Sequence, residues 1–312
     1  MISGIFGKTK PINYVLLLGF LFVLYWFVYF YVDNNTNEPA VIVWQSFVVL
    51  SLLFSVLVIN FVVNRNQITS ANSYVALYFI LLILIFPSSV ADNNAILCSF
   101  FLLLACRRLL SLRSLKYIKL KIMDASLWVL VSSIFYDWAI LFLILVYIAI
   151  YIYEPKNLKN WLVPVVSTLV FVLLSYSVLI LANNEDYFLL HYQFPIVNIR
   201  EVVSDWKLNT KLIIYTILIV ITAFAVFLKS GKLGLGRIIN LRLISIYFGV
   251  SVLVIILSLM AGDLPVMISF FPGAVFLGKY VEMIKRKNIK EITLYTSVFI
   301  AFLVFAVDIL LK

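Results

Sequence analysis

The chain has 312 residues, 64% of them hydrophobic and only 12% charged, with a mean hydropathy of +1.12 and a formal net charge of +10. That is more apolar surface than a soluble fold of this length can cover, so lipid must be the main solvent, which counts against a soluble enzyme. The positive charge falls in short clusters between apolar runs, a pattern that orients a chain in a bilayer and meets anionic head groups, and no nucleic-acid partner is expected.

Runs of about 20 apolar residues predict spans near 13–32, 41–63, 73–87 and 94–106. Lys8 and Lys10 precede the first run, which reaches Asp33 without a small-residue cleavage site, so it reads as an anchor and not as a removed signal peptide. Cys98 and Cys106 lie in one apolar run with no metal-ligand spacing and read as small buried hydrophobes, and no metal is expected. Next, Arg107, Arg108, Arg113, Lys116, Lys119 and Lys121 alternate with Leu109, Leu110, Leu112, Leu115, Ile118 and Ile122. This is a basic amphipathic segment, expected to lie on an anionic membrane face.

The apolar stretch 125–153, broken at Ser132-Ser133-Ile134-Phe135-Tyr136-Asp137, decides the topology. Later spans are predicted near 161–182, 211–228, 243–261, 264–281 and 292–311. If 125–153 is a helical hairpin that turns back at Asp137, 20 of the 24 Lys and Arg share the inner side with the N-terminus. If it crosses once, the division becomes 13 against 11 and the positive-inside bias is gone. The hairpin is therefore preferred. The expected architecture is an all-α polytopic integral membrane bundle of about eleven helices, two of them the short arms of the hairpin at 125–153. Its N-terminus is inside and its C-terminus outside, and a single transmembrane domain covers 1–312 with no separate soluble domain. The glycine-rich Gly231 to Arg237 follows a membrane helix and lacks a Lys-Ser/Thr pair, so it is a flexible inner turn and not a phosphate loop. Pro265, Pro272 and Gly273 in the penultimate run resemble the helix breaks that transporters place at substrate sites, and equally an ordinary kink.

Ten acidic residues fall on the expected outer face, and two stand out as candidate catalytic groups. Asp33 follows the first span directly and suits a general base or a metal ligand. Asp137 is the only charge in its apolar stretch, flanked by Tyr136 and Trp138, where an ionisable group is costly enough to suggest function or a helix N-cap. The long outer loop 183–210 holds the only histidine, His191, among aromatic residues, together with Arg200 and Lys207. These three are the candidates for holding a lipid phosphate, although Arg200 and Lys207 also read as partners of Glu201 and Asp205.

The opening Met-Ile-Ser-Gly-Ile-Phe with Lys8 to Pro11, together with the Arg107 to Asp137 block, resembles a family of bacterial polytopic inner-membrane proteins to which no activity is assigned. Residues 13–153 also resemble the membrane core of C-type glycosyltransferases, in which an acidic residue follows the first span and a basic inner loop precedes a short hairpin. That resemblance implies Asp33 as the catalytic acid position. The loop after Asp33 is shorter than in that superfamily, and no outer soluble domain is present. Three functions follow as expectations: a subunit or scaffold of an envelope-biogenesis complex in the bacterial inner membrane, a glycosyltransferase acting on a lipid-linked sugar, or a transporter or lipid-moving protein. Membrane lipids, a lipid-linked sugar and membrane-protein companions are the corresponding partners; no cofactor is indicated.

Overall fold

The computed structural model describes residues 2–32, 38–194, 206–229 and 234–310, with backbone alone at Leu189, Trp206, Lys207, Leu208 and Leu235. The described elements are helices, the form that satisfies every backbone group of an apolar segment in lipid. They are α1 (Ile2–Phe6), α2 (Pro11–Phe27, extended by a π turn Val28–Val32), α3 (Pro39–Arg65), α4 (Tyr74–Ile85), α5 (Ser88–Ala91), α6 (Asn93–Leu110) and α7 (Ile118–Ser133). There follow α8 (Leu143–Tyr153), α9 (Leu158–Leu181), α10 (Tyr187–His191), α11 (Trp206–Lys229), α12 (Leu235–Met260), α13 (Phe270–Met283) and α14 (Lys287–Leu310). Among the described residues, eight helical stretches are long and apolar enough to cross a membrane, while α4 and the stretch from Asp137 to Tyr153 are apolar but shorter. The chain is a multi-pass membrane protein.

The bundle is built around α4. Its side chains are apolar on all faces and buried from Tyr74 to Leu84, and a helix hydrophobic all round has to be enclosed. α13 lies along it, and α14, α3 and α2 complete the sleeve. Gly278 of α13 sets the spacing: a Cβ there would stand 2.9 Å from Val75 Cγ2 and 3.0 Å from the Val75 backbone nitrogen. Toward the other end of α4, the rings of Phe79, Phe86, Tyr215, Phe248 and Phe270 meet edge-on or tilted at centroid distances of 5.6 to 6.5 Å. The Tyr215 hydroxyl, enclosed in this group, donates to the Ser269 carbonyl at 3.0 Å.

The chain doubles back at Tyr136. α7 ends at Ser133, Tyr136 takes extended backbone (φ −139°, ψ 117°), and a 3-10 turn from Asp137 to Phe142 leads into α8. α8 lies against α7, and its far end returns to the 111–114 turn from which α7 set out. The first arm starts at Ile118, so each arm rises about 25 Å.

Two expectations are corrected here. The basic stretch after Arg107 is not one amphipathic segment on the membrane face. α6 runs on to Leu110, Ser111–Ser114 make a 3-10 turn, and Leu115 and Tyr117 adopt left-handed backbone (φ 52° and 53°) that no helix continues through. Leu109, Leu110, Leu112 and Ile122 are buried against the bundle, which folds the segment into a bend. The prolines of the penultimate span do not interrupt its α-helix either. Pro265 precedes the 3-10 turn Val266–Ser269, and Pro272 sits in the first turn of α13, where its missing N–H would have had no partner.

The two ends of the bundle differ in chemistry. At one, referred to below as the basic end, Ser70 and Asn72 bond the Glu282 carboxylate, Lys279 pairs with it at 2.9 Å, and the Ser3 hydroxyl donates to Glu291 at 2.6 Å. The hairpin turn, Asp92 and Asp263 gather at the other, the acidic end.

Candidate functional site

The acidic-end recess is assembled from three places in the chain. Asp92 caps α6, its Oδ1 accepting from the Ala95 N–H at 2.9 Å, while its other oxygen takes a short hydrogen bond from the buried Tyr136 hydroxyl. Tyr136 is held there by the extended backbone that makes the hairpin turn. Asp137, the next residue, opens the 3-10 turn with its carboxylate on the Trp138 N–H at 2.7 Å. Asp263 arrives from the α12–α13 connection, where Gly262 at φ 94° lets the Asp263 N–H reach back to the Ser258 carbonyl at 3.0 Å. Partial burial, and then the nearby charges of Asp92 and Asp137, push the Asp263 carboxyl above the usual aspartate range.

A short aromatic clasp closes over the hairpin turn. His191 Nε2 lies 2.8 Å from the Ser133 carbonyl, so that nitrogen carries the proton and donates. Its ring stacks on Tyr187 at 5.1 Å and meets Tyr192 edge-on at 4.8 Å. The Tyr187 hydroxyl donates to the Ile134 carbonyl at 3.1 Å, Tyr192 and Ser133 share a hydroxyl bond of 2.8 Å, and Phe194 covers Trp138 at 4.9 Å.

Of the residues singled out from the sequence, Asp137 and His191 are therefore brought to the same turn. Asp33 and Arg200 lie outside the described residues, and Lys207 falls on α11 with its side chain outside them. Asp92, Tyr136 and Asp263 are the members that sequence reading left in the background. The signal for Asp92 was its place just before an apolar helix, where an N-cap aspartate is common; nothing local marks Asp263. Asp92 and His191 are committed to structural bonds, while the Asp263 carboxyl sits above the usual aspartate range beside two other carboxylates. Among the described residues no group of three or more His, Cys, Asp or Glu is placed to hold a metal ion, and both cysteines are free and buried.

A second feature is a groove of about 360 Å³ between α4, α11, α13 and α14. Leu81, Leu82, Leu218, Leu277 and Ile300 give it apolar walls, and Thr222, Thr293 and Thr296 add hydroxyls. The Thr222 and Thr296 hydroxyls donate to carbonyls one turn back, so they add little polarity to the wall. Lys211 lines the groove and forms a close ion pair with Asp308 of α14. No family model, curated protein or solved structure matches this chain.

Proposed function

We propose that this multi-pass membrane protein is a non-catalytic subunit that anchors or organises an envelope-biogenesis complex in a bacterial inner membrane, with the basic end facing the cytosol. The clasp carries this reading. Three hydrogen bonds and stacked rings pin residues 187–194 to the hairpin turn and build a rigid aromatic platform on which Leu190 and Gln193 stay exposed. A fixed, amphipathic surface of this kind suits a docking partner, since little conformational entropy remains to be lost on binding. Purification from native membranes in mild detergent tests it. A companion that co-purifies with the wild type and is lost on Tyr187→Ala and Tyr192→Ala supports the proposal; a monodisperse monomer with no companion overturns it.

The groove favours a second reading, a protein that moves or modifies a lipid. An apolar slot within a membrane bundle is suited to an acyl or polyprenyl chain. In this reading, on a scaffold resembling the C-type glycosyltransferase core, Asp33 serves as the base with Asp137 as a second catalytic group, while Arg200, His191 and Lys207 hold a lipid phosphate. Full function in cells after Asp33→Ala, combined with full function after Leu218→Trp in the groove, would remove it.

A further inference from the structure

The bend that replaces the expected surface helix leaves a cavity of about 560 Å³, open on one side, at the basic end. Arg65, Arg107, Arg108, Arg113 and Lys121 line it, together with Gln67 and Ser114, and among the described residues no acidic side chain is in its walls. The carboxylate within bonding distance is Asp124, at 3.0 Å from Arg108, and that pair is itself partly exposed. With one of the five cations paired to a carboxylate among the described residues, cations facing one space repel each other, and an anion in the middle relieves that repulsion.

The cations are also held in place. The Arg107 guanidinium lies over the Phe61 ring, 4.9 Å from its centroid. Lys121 Nζ donates to the Ser111 carbonyl at 2.7 Å and to the Ser114 hydroxyl at 2.6 Å. Arg113 packs against Gly236, where a Cβ would collide with its guanidinium, so the glycine makes the room it occupies. Arg237 Nη2 donates to Gln67 Oε1 at 3.0 Å and brings a sixth cation to the rim. Partial burial and the neighbouring Arg108 push the Lys121 ammonium below the usual lysine range, the response expected of a cation confined with other cations.

The place of the cavity narrows the ligand. Arg65 ends α3, and Arg107 and Arg108 fall in the last turn of α6, so the cavity sits where two membrane-spanning helices leave the hydrocarbon. Phe61, on the α3 turn before Arg65, is exposed at the same mouth. We infer that the cavity is a binding site for a pair of phosphate groups that together carry two or more negative charges, gripped by arginine forks at the level of the lipid head groups. A two-phosphate phospholipid head group and a soluble diphosphate share this chemistry. The site is independent of the envelope-subunit reading above, because its test involves no partner protein.

Native mass spectrometry of the full chain in mild detergent tests it, with three separate probes: cardiolipin, phosphatidylglycerol and inorganic pyrophosphate. The expected result is saturable one-to-one binding of cardiolipin or pyrophosphate, with phosphatidylglycerol weaker. Cardiolipin alone identifies a membrane source; pyrophosphate that binds and displaces cardiolipin identifies a soluble one. Each removed cation should weaken binding about fivefold, so Arg107→Gln with Arg113→Gln should weaken it on the order of 25-fold. Arg65→Gln serves as the variant least able to disturb folding, since the side chain is exposed, and should weaken binding about fivefold. Unchanged affinity in Arg65→Gln and in the double variant would overturn the inference, as would the lack of saturable binding by any of the three probes.

Discussion

Gly278 and Gly19 are both helical glycines of membrane-spanning segments, yet they face opposite surroundings, and alanine at each isolates the α4–α13 contact. At Gly19 an added Cβ meets nothing within 4 Å. At Gly278 it meets Val75 Cγ2 at 2.9 Å, Val75 N at 3.0 Å and Val75 Cα at 3.2 Å. Two of those three atoms are backbone, so relief requires α4 to move as a body, and α4 is enclosed by α2, α3 and α14 as well. Replacing Gly by Ala in a helix contributes up to ~1 kcal/mol of stability at either position. That term cancels in the comparison. What remains is overpacking, which costs roughly 1–3 kcal/mol in a close-packed interior. Gly19→Ala should therefore be neutral or slightly more stable, and Gly278→Ala less stable than Gly19→Ala by that margin. Thermal denaturation of the purified proteins in one detergent, followed by tryptophan fluorescence and by size-exclusion recovery after heating, measures the difference. Equal midpoints for the two variants would refute the close approach of α13 to α4.

Three further outcomes follow from the ends of the bundle. Tyr136→Phe deletes the donor to Asp92 and should cost about 1.5–3 kcal/mol, as for other hydrogen bonds to a charged group; an unchanged melting temperature would show that the Tyr136–Asp92 bond does not hold the hairpin turn. Glu282→Gln should destabilise more than Lys279→Met. The first leaves a lysine only 5% exposed without its ion-pair partner, whereas the second leaves a carboxylate still bonded by Ser70 and Asn72, and breaking a buried pair costs roughly 3–5 kcal/mol. The reverse order in a melting series would refute that reading. Asp263 binds its proton more tightly in the folded chain than in the unfolded one, so stability should fall as pH rises from the ordinary aspartate range toward its raised value. Asp263→Asn should flatten that slope, and a wild-type and variant with identical pH profiles would exclude the carboxylate cluster as its cause.

The hairpin was legible because charge is asymmetric along the chain: turning at Asp137 is what keeps the basic clusters together, and in the structure α8 returns to the 111–114 turn. The central place of α4 and α13 was not legible. The span Val266–Met283 has the lowest mean hydropathy of the eight, 1.3, and the largest buried share, 78%, while Lys287–Leu310 at 2.2 is only 11% buried. Lipid is as apolar as leucine, so hydropathy cannot tell a lipid-facing helix from an enclosed one; small residues such as Gly273 and Gly278 mark the enclosed helix. The same limit explains the recess. Asp137 was conspicuous as a lone charge in an apolar stretch, but its neighbours Asp92 and Asp263 come from distant connections that look like ordinary solvated loops. The basic cavity was hidden for a different reason: alternating Arg, Lys and Leu reads as a surface helix until Leu115 and Tyr117 turn the chain in left-handed backbone, a conformation that neither residue type advertises.

α13 connects these features. Its leading 3-10 turn follows Asp263 at the acidic end, Leu277, Tyr280 and Val281 wall the groove, and Glu282, paired with Lys279, ties its other end to Ser70 and Asn72. Because it packs against α4 and is buried over most of its length, a shift of α13 has to be shared between the recess, the groove and the basic-end network. Substitutions at Gly278 should therefore perturb the Asp263 titration and lipid retention in the groove together, whereas substitutions on α9, which is only 17% buried, should perturb neither. Measuring both readouts in Gly278→Ala and in Leu173→Ala, an exposed α9 position, separates a shared mechanical element from two independent sites; a Gly278→Ala protein that changes one readout and not the other would show that α13 does not link them.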